Sequence, residues 1–266
     1  MKRKIGFIGA GNMASAIYGG ILSGHLAEGS DLILYDINQE KLAQTVERIG
    51  CEAAASNEEV VQKADLVFLA IKPQFLAPVL EQIRPYVKKE QAFISIVAGW
   101  TIEKLKNGLG ESARLLRVMP NTPLLVGHGM SCLSIEHDLT QDEFDYVHSI
   151  FSGMGRVEVL PEKQIAWFAS IAGSGPAYVY MFIEAMADAG CKLGLARDLS
   201  YRLAAQTCIG SGHMVLETGQ HPGALKDAVC SPGGSTIEAV YALEKGGFRA
   251  AVIDAIDACT EKFYKL

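Results

Sequence analysis

"KIGFIGAGNMASAIYGGILSG", residues 4–24, opens on a short apolar run, turns through glycines and continues at helical spacing. Its centre, Gly9-Ala10-Gly11-Asn12-Met13-Ala14, fits the pattern G-x-G-x-x-G/A. In that pattern the first glycine permits a tight turn and the second lets a pyrophosphate approach the backbone. The small last residue lets the helix pack closely on the strand. Exposed amides at the helix start then meet the phosphates. Glycines also end strands for purely structural reasons, so the motif gains its weight from the strand before it and the helix behind it. Gly9, Gly11, Asn12 and Met13 are therefore the first candidate contacts to a dinucleotide.

Outward from this stretch, strands and helices alternate. "DLILYD" (31–36) reads as a second strand, and "NQEKLAQTVERIG" (38–50) as a helix with Asn38 as N-cap and Gly50 as its stop. "ADLVFLAIKP" (64–73), ended by Pro73, "QAFISIVAG" (91–99) and "ARLLRVMP" (113–120) read as three further strands. Short apolar strands separated by helices predict a parallel sheet covered on both faces. The expectation is an α/β fold, a Rossmann-type doubly wound domain over residues 1–160. Asp36 ends the second strand, where a carboxylate accepts hydrogen bonds from ribose hydroxyls and repels a 2′-phosphate, which favours NAD over NADP. A carboxylate there serves equally well to cap the following turn. Lys41 is the one positive charge nearby.

From Ile165 onward the strand signals stop, so residues 161–266 are expected to form an all-helical domain. Ser174 and Pro176 can start a helix, Asp198 and Ser235 are expected N-caps, and Gly219 and Gly246 expected stops. The helix around 177–187 is apolar on more of its circumference than a surface helix needs. Such a small domain cannot hide that much alone, which predicts a homodimer or larger homo-oligomer built on these helices.

Composition bounds the rest. With 266 residues, 49% of them hydrophobic and 20% charged, the chain can bury a core and is not globally disordered. A net charge of −6 without a basic block argues against nucleic acid and anionic membranes as partners. The cysteines, at 51, 132, 191, 208, 230 and 259, form no CxxC pair, so reduced thiols and a cytoplasmic location are expected. Neither a secretory signal nor an apolar run of membrane-spanning length is visible. The histidines form no HExxH-type cluster, so no metal is expected.

One stretch, "CSPGGSTIEAVYALEKGGF" (230–248), remains to be explained. Two glycines and two hydroxyl residues head a helical run, which makes a second anion-binding helix start besides the one at residue 9. Together "GFIGAGNMA", "LAIKPQ", "RVMPNTP", "GSGPAY" and "DAVCSPGGSTIEAVYALEKGGFRAAV" resemble pyrroline-5-carboxylate reductase almost end to end. The resemblance implies reduction of 1-pyrroline-5-carboxylate to L-proline with NADPH or NADH, the last step of proline biosynthesis. It implies that the second glycine turn holds the substrate carboxylate through Ser231, Gly234, Ser235 and Thr236, with Thr236 reaching the ring nitrogen. It also implies that Asn57, Ala70, Lys72, Pro73, Ala98 and Glu162 line the cofactor path. Pro120 and Pro123 would shape a rigid loop near the nicotinamide, with Asn121 a weaker contact. Two alternatives are a related β-hydroxyacid dehydrogenase or other imine reductase, and a cofactor-sensing scaffold. The dehydrogenase calls for a lysine base in the linking helix region, and "AWFASIAGSGPAYVYMFIEAM" (166–186) contains none.

Overall fold

In the computed structural model, which describes residues 3–265, the first half builds one sheet. Strands β1 (Ile5–Ile8), β2 (Leu32–Tyr35), β3 (Glu52–Ala53), β4 (Leu66–Leu69), β5 (Ala92–Ser95), β6 (Arg114–Met119), β7 (Gly129–Ser134) and β8 (Gly155–Leu160) lie in the order β3-β2-β1-β4-β5-β6-β7-β8. Helices α1 (Asn12–Ser23), α2 (Gln39–Ile49), α3 (Asn57–Lys63), α4 (Leu76–Ile83), α5 (Ile102–Leu109) and α6 (Gln141–Ser152) connect them.

Strand side chains alternate between two apolar layers. Ile5, Phe7, Leu32, Leu34, Leu66 and Phe68 pack with residues of α1, α2 and α6. Ile8, Ile33, Val67, Leu69 and Phe93 pack with those of α3, α4 and α5. The sheet is thus covered on both faces. Phe7 and Phe68 stack with ring centroids 4.8 Å apart, and Tyr18 meets Phe7 edge-on at 5.8 Å. A glycine is needed at position 6, because a Cβ there would stand 2.6 Å from Val60 Cγ1 and 2.8 Å from Ala64 Cβ. That closeness seats α3 directly on β1.

β3, β7 and β8 carry no strong apolar signal and were not expected from sequence. β7 runs antiparallel to β6, with Val118 opposite Leu133 and Met119 opposite Cys132, while β8 returns parallel to β7. The sheet is therefore not uniformly parallel. The physical reason is the connection: the segment between Met119 and Gly129 holds only a 3-10 turn, Thr122–Val126, too short for a parallel crossover.

The caps follow expectation in part. Asn38 accepts from the Lys41 amide, and Gly50 ends α2 in the left-handed region at φ 68°. The later helices are α7 (Ile165–Phe168), α8 (Gly175–Lys192), α9 (Arg197–Thr218), α10 (Pro222–Ala228), α11 (Ser235–Lys245) and α12 (Phe248–Phe263), with a π turn at Ala169–Gly173 between α7 and α8. Ser174 caps α8 and Gly219 ends α9 as expected. Ala196 takes the N-cap of α9 and Gly234 that of α11, so Asp198 and Ser235 lie inside the first turns instead. In each case the residue with extended backbone wins the cap over the residue with the better side chain.

The chain divides into two compact units: one runs through Gly173 and takes back the chain from Thr260, the other is Ser174–Cys259. In the first, α7 and the π turn close a small cluster of Met119, Cys132, Ile165 and Ala169. In the second, Ala187, Ser200 and Ala204 are the only buried side chains among the described residues, while Tyr180, Met181, Leu203, Ile209 and Leu216 stand exposed. Among the described residues, no helix is long and apolar enough to cross a membrane.

Two outcomes follow from this architecture. A helical unit with so little core of its own requires cover, so the native protein should sediment well above 28.6 kDa. Met181→Glu, which puts a charge on the apolar face of α8, should lower sedimentation mass and thermal midpoint together. A wild-type protein sedimenting as a single chain across the micromolar range would refute this. Burial pushes the Cys132 thiol up to about 11 and also raises that of Cys51. At pH 8 an aromatic disulfide reagent should therefore titrate only thiols among Cys191, Cys208, Cys230 and Cys259 until denaturant is added; early labelling of Cys132 would contradict its burial.

Candidate active site

β1 pairs with β2 on one side and β4 on the other, both parallel. The chain therefore leaves the ends of β1 and β4 in opposite directions, and the crevice between them is where open α/β sheets take ligands. Gly9 sits at that point with φ +98°, and a Cβ on it would come within 2.6 Å of the Ala70 carbonyl oxygen. Only glycine fits both demands. Gly11, the N-cap of α1, has nothing within 4 Å of where its Cβ would be. The α1 N-terminus has no side-chain cap and no acidic residue in its first turn. Its first amides, those of Asn12 and Met13 among them, lack intrahelical acceptors and face an open cradle. A diphosphate fits this geometry, and the helix dipole adds roughly 0.3–1 kcal/mol for an exposed anion.

Asp36 anchors the cradle. One carboxylate oxygen accepts from the Ala10 amide at 2.6 Å and the other from the Asn38 amide at 2.8 Å. The Gly9 amide donates to the Tyr35 carbonyl at 2.8 Å. The end of β2 thus holds the glycine turn from outside, and Asp36 has the turn-capping role weighed for it from sequence. Each oxygen keeps a second lone pair for a ribose hydroxyl.

Ala70, Lys72 and Pro73 follow β4, and Ala98 follows β5, at the same edge of the sheet. Lys72 is exposed, and the Pro73 carbonyl accepts from Trp100 Nε1 at 3.3 Å, which ties the loops after β4 and β5 together. Asn57 is buried at the start of α3, where its side chain donates to Gln82 Oε1 at 2.9 Å, and Gln82 in turn donates to Glu58 at 2.8 Å. The cap of that helix is Ser56, not Asn57.

Glu162 takes a structural position. One of its oxygens accepts from the Ile102 amide at 2.7 Å and from Arg117 Nη1 at 3.2 Å. Arg117 is only 5% exposed, and its Nε makes no hydrogen bond. Desolvation pulls the Arg117 pKa down, and the Glu162 carboxylate opposes that. The pair joins β6 to the start of α5 and so braces the loop carrying Ala98. Arg117 was missed from sequence; an arginine in the interior of the otherwise apolar strand "RLLRVM", besides the one that opens it, was the signal available.

Ser231, Gly234, Ser235 and Thr236 belong to the helical unit. Gly233 adopts φ +71°, the Gly234 amide closes a turn onto the Ser231 carbonyl at 3.0 Å, and α11 begins at Ser235 without a side-chain cap. A Cβ on Gly234 would stand 2.5 Å from Ser231 Oγ. This turn repeats the logic of the first: glycines before an uncapped helix start, with Ser231, Ser235 and Thr236 exposed.

Comparison with known proteins places these features in one family. Residues 162–266 match the family model described as pyrroline-5-carboxylate reductase dimerisation, and residues 4–99 match that described as NADP oxidoreductase, coenzyme F420-dependent. The chain is 46% identical over 266 residues to pyrroline-5-carboxylate reductase of Escherichia coli, covering 100% of this chain and 99% of that protein. It is 39% identical over 263 residues to the soybean (Glycine max) enzyme of that name, covering 98% and 95%. The crystal structure of Plasmodium falciparum pyrroline carboxylate reductase with NADP bound superposes with a TM-score of 0.91 at 36% identity, covering 100% of this chain and 98% of that one. Prephenate dehydrogenase from A. aeolicus, at TM-score 0.55 and 15% identity, shares the fold alone. With full-length identity at this level, a helical half matching a dimerisation model and two glycine-led helix starts, the chain belongs to the pyrroline-5-carboxylate reductase family.

Proposed function

We propose that this protein reduces 1-pyrroline-5-carboxylate to L-proline with NADPH or NADH, as a homo-oligomer. The observation that carries this reading is the pair of uncapped helix starts, α1 behind Gly9–Gly11 and α11 behind Gly233–Gly234, in a chain 46% identical end to end to a reductase of that name. Each presents backbone amides to an anion, so one chain has a place for a diphosphate and another for a carboxylate.

We place the cofactor in residues 1–160 and the substrate and dimer contacts in 161–266. Gly9, Gly11, Asn12 and Met13 hold the diphosphate. Asp36 and Asn57 face the adenosine end, and Ala70, Lys72, Pro73 and Ala98 line the way to the nicotinamide. Glu162 acts on that path through the loop it braces. Bound there, NAD(P)H supplies hydride to the C=N carbon. The chain's own part is orientation and anion binding: Ser231, Gly234 and Ser235 fix the carboxylate, and the Thr236 hydroxyl meets the ring nitrogen. A hydroxyl donates to a neutral imine nitrogen and accepts from an iminium N–H, so Thr236 serves either form. A protonated imine is already electrophilic, so proximity and orientation carry most of the barrier reduction.

Three variants test the assignment. Asp36→Ser removes the carboxylate that repels a 2′-phosphate and also frees the Ala10 amide. KM should therefore rise for both cofactors, while kcat/KM for NADPH improves relative to NADH by about tenfold. An unchanged ratio would leave Asp36 as a loop anchor only. Gly234→Val crowds Ser231 and blocks the backbone, so substrate KM should rise with NAD(P)H affinity constant by fluorescence titration. Thr236→Val keeps shape but loses the hydroxyl; kcat should fall about five- to a hundredfold, the loss of one hydrogen bond worth roughly 1–3 kcal/mol, with a smaller change in KM. Full kcat in Thr236→Val would remove that residue from the mechanism.

A further inference from the structure

Asn121 follows β6 in the loop "MPNTP", at the sheet edge that carries Ala70 and Ala98. It is only 7% exposed, and both ends of its amide are engaged. The Met130 amide donates to Asn121 Oδ1 at 2.9 Å, and Asn121 Nδ2 donates to the Ala172 carbonyl at 2.9 Å. The second bond is the informative one. Ala172 lies in the π turn Ala169–Gly173, two residues before the cap of α8. Four residues beyond it stands Pro176, which has no N–H to offer its carbonyl. The amide of Ala177, five residues beyond, is committed to the Ser174 carbonyl at 3.0 Å. A half-buried carbonyl left without a donor costs about 1–3 kcal/mol. Asn121 supplies this carbonyl with a donor from outside the helix.

The same turn is pinned on its other side. Ser170 Oγ donates to the Ala166 carbonyl at 2.9 Å and meets Thr260 Oγ1 at 2.8 Å. π turns break the regular helical ladder and persist where outside groups take over the freed backbone. Here Asn121 of the sheet edge takes the Ala172 carbonyl, while Thr260 of α12 holds the Ser170 side chain.

We propose that Asn121 is a positioning residue for the reaction: it replaces the donor that Pro176 lacks, and so fixes the π turn through which the chain leaves the cofactor edge and enters α8. Its amide keeps a second N–H and a second lone pair beyond the bonds to Met130 and Ala172, so this positioning role stands beside any contact to the cofactor. The helical unit that carries the 231–236 turn begins at Ser174, directly after this point, so a loosened turn loosens the entry to α8 and leaves the diphosphate cradle untouched. The proposal rests on the reductase reading above, but its primary readout does not.

Hydrogen–deuterium exchange on Asn121→Ala and Asn121→Asp tests it. Aspartate keeps the acceptor for Met130 and loses the donor for Ala172. Amides of 169–175 should exchange about tenfold faster in both variants, the cost of one lost hydrogen bond, while those of 9–18 keep wild-type rates. In steady-state assays kcat should fall about tenfold or more with NAD(P)H affinity within twofold. Pro176→Ala, which restores an N–H at 176, should recover a large part of both losses in the Asn121→Ala background. Unchanged exchange at 169–175 overturns the proposal whatever the activity. A loss shared equally by cofactor affinity, or failure of both variants to fold, makes Asn121 a stability residue and overturns it too. A wild-type protein without reductase turnover sinks the functional reading instead, and the exchange experiment still decides the role of Asn121.

Discussion

The parallel pairing of β1 between β2 and β4 is the constraint on which the rest depends. It forces the chain to diverge at the ends of two neighbouring strands, and a crevice opens there without any dedicated loop. Gly9 must then accept a left-handed conformation against the Ala70 carbonyl, and Gly6 must accept α3 against its face. Residues distant in sequence, from Gly9 to Ala98, reach one edge because every parallel strand ends there. The stacked rings of Phe7 and Phe68 hold the two central strands in register from beneath.

Side chains that look functional by type are divided between ligand and scaffold by the hydrogen bonds they already make. Asp36 spends one lone pair of each oxygen on the glycine turn and its own turn. Glu162 spends its carboxylate on Arg117 and the α5 start, and Asn121 spends both ends of its amide on backbone. The glycine-led starts of α1 and α11 carry no side-chain cap, so their first backbone amides lack a partner from their own helix. In a site whose chemistry is hydride delivery to an electrophilic C=N bond, a scaffold that fixes geometry contributes more than strong acid or base groups.

The helical unit obeys a different rule. With Tyr180, Met181, Leu203, Ile209 and Leu216 exposed in the single chain, its helices cannot satisfy themselves. Residues 162–266 match a family model described as pyrroline-5-carboxylate reductase dimerisation, in keeping with a homo-oligomer. A segment of this size cannot build a large core of its own.

The sequence by itself determined the α/β first half, the glycine turn after β1, the helical second half and its need for a partner. Those features depend on local periodicity, on glycine and on capping residues, whose energetics act within a few neighbours. Only the tertiary structure decided the antiparallel joining of β7, the short strands β3 and β8, and the buried Arg117–Glu162 pair. Strand direction there follows from connection length and edge pairing, not from the composition of "GMSCLS" or "GRVEVL". The fate of Asn121 was equally invisible: its partners Met130 and Ala172 lie far along the chain, and a hydrogen bond to a distant backbone leaves no periodic trace in sequence.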